Sequence, residues 1–538
     1  MTGTNSNELD FRPRIKTYFI ILMLSYLILL VLLHMSLKPI SFLDWVYYFL
    51  LAAPLFPVSY LFLHLVLSLF LFNDKDYKLK KVTTLKNEVK VAIISGIYND
   101  FIEETLLETV NTIRKDANHK ITVDFYICSD SDNGQNINDE KRFAKENGII
   151  YIQRTNRKGQ RPGAINEWAR KYLKNYDYFM VLDKDSLIKD TDTLDKMVRA
   201  LEHPENSNVA ILQSSMLNAN VSTKYSCAMG DIIYSFRVFS PKNDIFMLGK
   251  LLYWGHNGLI RKTAYEDVGE FSEVYLCDDL LYTMLLDQKG WRVAYCTDIV
   301  SYEFVPSDFI SLRERNNRWA RANLGTIKFI VKHLRDTSAP ILFQVILPVL
   351  GYYNTIFLMM ILLAGLFVPS LIGMGLLSID QQHFNIISAG LVLYVFVLFI
   401  VFFARFFVLH GWKEAMRILK SSLYELSISL NILPSLSFTT FTYFINPDNK
   451  WNPFKAVPKD RTLAQCFLEM KYEFAFGVII TTIGLLLHNW VWLVTALLYI
   501  VNFLGGPVMI YLTEKSPGNE KRIGLVSDAD GKFRGSWI

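Results

Sequence analysis

The sequence predicts an α/β domain with a mostly parallel sheet, set between groups of membrane-spanning helices. Three observations predict it. Long uncharged apolar runs lie towards both ends of the chain, strands alternate with helices from about 86 to 333, and one fully apolar strand, 178–182, ends in Asp183-Lys184-Asp185. The 538 residues are enough for two or more cores, and 51% hydrophobic with 20% charged residues fits a polar domain joined to membrane segments. A net charge of +5 is too mild to point to nucleic acid. The five scattered cysteines have no CxxC spacing, so they suggest neither a disulfide framework nor a zinc site and fit a reducing compartment.

Residues 1–82 read as a membrane anchor with two spans, about 17–35 and 45–72. Each is long enough for the roughly twenty residues that a helical span needs. The first has basic flanks like a signal peptide but no small-residue cleavage site, so it reads as a retained anchor. Arg12, Arg14 and Lys16 before it, and Lys75, Lys78, Lys80 and Lys81 after the second, place both outer flanks in the cytoplasm. Residues 83–335 form the α/β domain. Strands are expected at 89–96, 121–128, 148–153 and 178–182, with a weaker one at 207–213, and helices at 100–115, 162–173 and 280–289; this alternation implies βαβ units.

Residues 336–515 return to the membrane pattern with about four spans: 341–368, 386–409, and two within 472–511 that turn near His488 and Asn489. Residues 412–444 read as interfacial helices, because charged residues such as Lys413, Arg417 and Lys420 are spaced among apolar ones. The stretch 426–444 could instead span or re-enter the membrane. Residues 516–538 read as a polar cytoplasmic tail, which puts both termini inside.

Several motifs carry candidate chemistry. Asp183 and Asp185, at i and i+2 of a strand, would aim the same way at the carboxyl edge of the sheet, where α/β proteins bind ligands. A hard cation shared with phosphates would resolve their repulsion, though a solvated turn would look the same. Asp130, in a turn-rich stretch after the second strand, suits a base imide or sugar hydroxyl as well as an Asx turn. Arg154, Arg157, Lys158 and Arg161 precede a helix N-terminus, a setting for pyrophosphate or for a solvated basic loop. Asp278 and Asp279 open a helix and would serve as dipole-stabilised caps or supply a general base. Arg315 and Arg318, at i and i+3 with Trp319 beside them, suit phosphate and a stacked sugar, or the basic flank of a membrane segment.

Taken in this order, the motifs resemble those of processive family 2 glycosyltransferases of the GT-A fold, the group that includes cellulose, chitin and hyaluronan synthases. The matching stretches are Ile97-Tyr98-Asn99-Asp100, Asp130, Arg161-Pro162-Gly163-Ala164-Ile165-Asn166, Asp183-Lys184-Asp185, Asp278-Asp279 and Arg315-Asn316-Asn317-Arg318-Trp319. The family usually has glutamine where Arg315 stands. That departure, with Tyr253-Trp254-Gly255-His256-Asn257, is most similar to the branch that makes osmoregulated periplasmic glucans.

The resemblance implies a Rossmann-like GT-A catalytic domain on the cytoplasmic side of a bacterial inner membrane. It implies UDP-glucose as donor, a growing β-glucan as acceptor and Mg²⁺ or Mn²⁺ as cofactor. Asn99, Asp130, Arg161, Asp183, Arg315 and Arg318 would bind the donor, and Asp185 with Asp183 the metal. Asp279 would be the catalytic base, and Trp319, Asp278, His256 and Asn257 would meet the acceptor. The apolar spans place the chain in contact with the lipid bilayer, position alone makes 443–459 a gating loop over the site, and the family alone suggests an acyl carrier protein and a periplasmic glucan-processing protein as partners.

Overall fold

The structure, a computed structural model, describes residues 15–57, 59–60, 62–63, 66, 78–115, 119–219, 244–245, 247–306, 308–379, 381–447 and 461–515. The expected polar tail, most of the expected gating loop and the end of the second expected span lie outside the described residues.

Helices α1 (Ile15–Leu37) and α2 (Phe42–Ala52) precede the sheet domain. The domain then runs β1 (Val89–Ile97), α3 (Glu103–Arg114), β2 (Ile121–Ser129), α4 (Gly134–Glu146), β3 (Ile150–Gln153) and α5 (Gln160–Tyr172). It continues through β4 (Tyr178–Leu182), β5 (Ser186–Leu187), α6 (Thr193–Leu201), β6 (Val209–Asn218), β7 (Gly258–Arg261) and α7 (Lys262–Val268). It closes with α8 (Asp278–Gln288), β8 (Arg292–Glu303), α9 (Phe309–Gly325) and α10 (Ile327–Lys332).

β4 shows why the sheet forms where it does. All five of its side chains are buried. Tyr178, Met180 and Leu182 join one apolar cluster with Ile93, Phe125 and Leu212, while Phe179 and Val181 join a second, on the opposite face, with Ile94, Trp168 and Ile211. Burying each such side chain contributes about 1.5–3 kcal/mol, so a strand without polar positions is stable only with helices on both faces.

The strand order is β3-β2-β1-β4-β7-β6-β8-β5. β1, β2, β3 and β4 are parallel neighbours, and so are β6 and β8. β7 is antiparallel to both β4 and β6, and β5 to β8. The sheet is therefore mixed, of the Rossmann-type, GT-A-like kind: six of its eight strands run one way, as expected, and β7 and β5 run against them. Two features hid this in the sequence. β7 is only four residues long, too short for periodicity to register. β8 pairs with β6 across a register shift near Gln213 and Ser215, so its apolar pattern is interrupted.

The carboxylate pair also departs from expectation. The strand stops at Leu182, and Asp183 to Ser186 form a turn in which the Ser186 N–H donates to the Asp183 carbonyl at 3.0 Å. Strand pleat therefore does not orient these side chains; the turn and its neighbours do.

After the sheet domain come α11 (Ala339–Gly373), α12 (Gln381–Tyr443), α13 (Leu463–Glu469), α14 (Lys471–Leu486), α15 (Trp490–Thr495) and α16 (Leu497–Lys515). α12 runs 63 residues with a break at Gly411, where φ is 80° and ψ 177°. Residues 412–443 continue from that break, and Ile428 and Ile432 pack under α9. His488 takes a left-handed φ of 52° in the turn between α14 and α15. Among the described residues, Lys16–Leu37, Ala339–Gly373 and Leu497–Lys515 are long and apolar enough to cross a membrane.

Candidate active site

The carboxyl ends of β1, β2 and β4 open on one cavity of about 420 Å³. Asp130 stands at the end of β2, where its N–H donates to the Ile97 carbonyl at 2.8 Å and prolongs the parallel ladder. Its Oδ2 accepts from Arg154 Nη1 at 3.0 Å, and its Oδ1 is buried without a protein partner. Burial outweighs Arg154 and pushes this carboxyl up to about 6. Beside it, the Arg157 guanidinium stacks 3.1 Å from the centre of the Tyr98 ring.

Arg154 is not a ligand-facing cation. It is buried and also donates to Glu167 and to the carbonyls of Asn156, Lys158 and Gln160, so it ties down the loop before α5. Gly163 completes this packing, because a Cβ there would lie 2.2 Å from the Lys158 carbonyl oxygen. Arg161, seven residues later, does line the cavity. Its Nε lies 3.0 Å from Asp183 Oδ1, its Nη1 3.8 Å from Asp278 Oδ2, and its Nη2 donates to the Gly255 carbonyl at 2.5 Å.

Asp183 and Asp185 differ in environment. Burial pushes Asp183 up, but Arg161, His256, Lys184 and Arg318 outweigh it and hold the carboxyl below its usual value. Asp185, only 8% exposed, is raised to about 7 by burial and by the charges of Asp183 and Glu303. His256 bridges this group, with Nε2 3.4 Å from Glu303 Oε2 and 3.8 Å from Asp183 Oδ2.

Asp278 and Asp279 line the same cavity from the first turn of α8, where the helix dipole favours anions. Asp279 Oδ1 accepts from the Leu280 N–H at 2.8 Å. Burial dominates both shifts, taking Asp278 up to about 7 and Asp279 above its ordinary value. From α9, Arg318 reaches the same cavity, and burial lowers it to about 10 against the pull of Asp183 and Asp185. Trp319, 39% exposed, lines the cavity with the Arg315 guanidinium 4.5 Å from its ring centre.

Asp130, Arg161, Asp183, Asp185, His256, Asp278, Asp279, Arg315, Arg318 and Trp319 thus share one cavity. Two expected site residues do not face it. The Asn99 side chain joins the loop after β2, donating to Asp132 at 2.6 Å and accepting from the Asn133 N–H at 3.1 Å. Asn257 is 1% exposed, and its N–H donates to the Val181 carbonyl at 2.9 Å beneath the site. Asn166, in the matched Arg-Pro-Gly motif, is also fully buried and holds Phe271 and Glu273 in place.

Residues 178–409 match the family model of glycosyl transferase family group 2. The matched span contains Asp183, Asp185, Asp279 and Trp319 but not Asp130 or Arg161. The chain is 29% identical over 274 residues to glucans biosynthesis glucosyltransferase H of Escherichia coli K12, covering 46% of this chain and 32% of that protein. With the same-named protein of Pectobacterium carotovorum, identity is 27% over 296 residues, covering 49% and 34%. The chain therefore spans about a third of the length of these relatives. Among solved structures, the mannosyltransferase PcManGT from Pyrobaculum calidifontis, in complex with GDP-Man and Mn²⁺, aligns with a TM-score of 0.45 at 15% identity, covering 73% of this chain and 99% of that one.

Glu303 is a site residue that sequence reasoning missed. It ends β8, is buried, and presents its carboxylate to His256 and Asp185. A glutamate closing the apolar stretch Ile299 to Tyr302 was the available signal, hidden because β8 was not recognised. Among the described residues no three His, Cys, Asp or Glu side chains make a closed metal cage. A cation here would take Asp183 and Asp185 oxygens, the hard donors that Mg²⁺ and Mn²⁺ prefer, and complete its shell with ligand oxygens and water.

Proposed function

We propose that this chain is an inverting, membrane-embedded glucosyltransferase that uses UDP-glucose to elongate a β-glucan, with a 1,2-linked backbone, and passes it across the bacterial inner membrane. The observation that carries this reading is the convergence of Asp183, Asp185, Asp279, Arg318 and Trp319 on one cavity at the carboxyl edge of the sheet. The similarity to glucans biosynthesis glucosyltransferase H supports the choice of glucose and glucan.

In this reading the buried, unpartnered Oδ1 of Asp130 accepts the imide N–H of uracil, and Tyr98 offers its ring to the base. Arg161 and Arg318 lie against the diphosphate and stabilise the negative charge that grows on it as the glycosidic bond breaks. Asp185 and Asp183, with Glu303 adjacent, would hold Mg²⁺ or Mn²⁺, which supplies Lewis-acid stabilisation of the departing diphosphate. Asp279 takes the proton from the acceptor hydroxyl. Its raised carboxyl makes it a stronger base than an ordinary aspartate. The hydroxyl oxygen then attacks the anomeric carbon opposite the departing UDP, which inverts its configuration. Trp319 supports the terminal acceptor sugar by stacking, with Asp278 and His256 at the edge of that subsite. The catalytic domain and both chain ends would lie in the cytoplasm, where UDP-glucose is made. An acyl carrier protein and a periplasmic glucan-processing protein are the partners that the family suggests.

The test is to incubate membranes containing the full chain with labelled UDP-glucose and Mg²⁺, followed by linkage analysis. Water-soluble β-1,2-linked chains are the expected product. Label only in the organic extract would replace polymer synthesis with a single transfer to a lipid. No transfer from UDP-glucose, with transfer from another UDP-sugar, would overturn the donor.

A further inference from the structure

The N-terminal end of α9 is buried against the C-terminal helices, and carboxylates accept from the amides of its first turn. Asp308 caps the helix, Oδ1 accepting from the Ser311 N–H and Oδ2 from the Ser311 hydroxyl, each at 2.9 Å. The Phe309 N–H donates to Glu514 Oε1, at the far end of α16, at 2.8 Å. Two carboxylates this close, both buried, would repel each other without a cation between them.

Arg461 is that cation. Its Nη2 lies 3.1 Å from Asp308 Oδ1, its Nη1 3.1 Å from Glu514 Oε2 and its Nε 2.6 Å from Glu469 Oε2 of α13. Further along α9, Arg313 pairs with Glu473 of α14 at 2.8 Å and Asn317 donates to Ser435 of α12 at 2.8 Å. Phe309 and Leu312 pack with Ile428, Ile432, Met470 and Ile510 to fill the space between.

We propose that Arg461 is a positioning residue: its guanidinium locks the first turn of α9 to α13 and α16 and so sets where Arg318 and Trp319 stand relative to Asp279. A helix transmits such an anchor as a rigid lever. Trp319 lies ten residues, about 15 Å of axis, beyond Phe309, so a tilt of a few degrees moves it by about 1 Å. A planar fork with five donors can hold three carboxylates at fixed angles, and an ammonium cannot. This role, which rests on the glycosyl-transfer reading of the cavity, belongs to a residue outside the cavity lining.

The experiment uses the purified full-length chain with Arg461→Gln and Arg461→Lys. It measures UDP binding with Mg²⁺, glucosyl transfer and hydrogen exchange over residues 308–325. The expected result for Arg461→Gln is faster exchange in that segment, retained UDP affinity and kcat lowered by about 100-fold. Arg461→Lys should fall between the two. A folded Arg461→Gln with wild-type kcat and unchanged exchange overturns the proposal, as does loss of transfer and UDP affinity in step with the folded fraction. If Arg461→Gln does not fold, Glu514→Gln carries the same test, because it keeps the oxygen that accepts from Phe309 and loses only the charge. If the wild-type chain transfers no sugar, the enzyme reading falls and exchange alone decides: faster exchange upholds the anchor, unchanged exchange overturns it.

Discussion

Asp279 shows how a single carboxylate is prepared for base chemistry. It sits at a helix N-terminus, which favours its charge, and in a buried pocket, which opposes it; burial wins and raises the carboxyl. Gly255 makes room for it, since a Cβ there would lie 3.0 Å from Asp279 Oδ2 and the backbone φ of 89° disfavours a side chain. Asp279→Asn should lower kcat by about 10²–10⁴-fold with UDP affinity retained, as transfer assays and calorimetry would show. The sign of the pH dependence follows from the direction of the shift. The base acts deprotonated, so wild-type kcat/KM should rise with pH through a value above the ordinary carboxylate range, with Asp278 beside it at about 7. An acid limb near pH 4 would remove Asp279 from that role.

At the scale of elements, the loop before α5 divides its basic residues between structure and ligand. Arg154, with its side chain 4% exposed, spends its donors on Asp130, Glu167 and three carbonyls, whereas Arg157 and Arg161 face the cavity. In Arg154→Met the carbonyls of Asn156, Lys158 and Gln160 lose their donor and Asp130 loses its cation. Breaking a buried pair in this way costs about 3–5 kcal/mol. The thermal midpoint of the purified chain should drop, and UDP binding should weaken with it. A variant with wild-type melting would show that the loop holds its shape without Arg154.

For the whole molecule, the site stores charge that burial disfavours. Asp130 is raised to about 6 and Asp185 and Asp278 to about 7, each from near 3.8. Between pH 4 and 7 the folded chain therefore binds more protons at these groups than the unfolded chain, so their contribution to stability falls as pH rises. Asp183 is lowered, and it adds stability above about 3.8 that is lost as pH falls through its folded value, outside this window. The thermal midpoint of the ligand-free protein should decline from pH 5 to 7. Asp278→Asn should flatten part of that slope, and Mg²⁺ with UDP should offset it by compensating Asp185. A midpoint that climbs across the same range would refute this account.

The sequence by itself determined the alternation of strands and helices, the apolar membrane segments and the chain order of the chemical motifs. Those are local properties: buried strands such as Tyr178–Leu182 are apolar throughout, and carboxylates collect where such strands end. Only the tertiary structure decided which residues of a motif face the ligand. Arg154 and Arg161 are the same residue type seven positions apart, yet one is consumed by loop carbonyls and the other opens on the cavity. Asn99 and Asn257 look like ligand contacts in a linear motif and instead brace loops and strand ends. Glu303 could be found only by recognising the strand that it closes, and Arg461 carried no signal of its role, because a lone charged residue takes its meaning from partners distant in sequence. The antiparallel insertion of β7 was likewise hidden, since pairing direction depends on where the chain re-enters the sheet and four residues carry no trace of it.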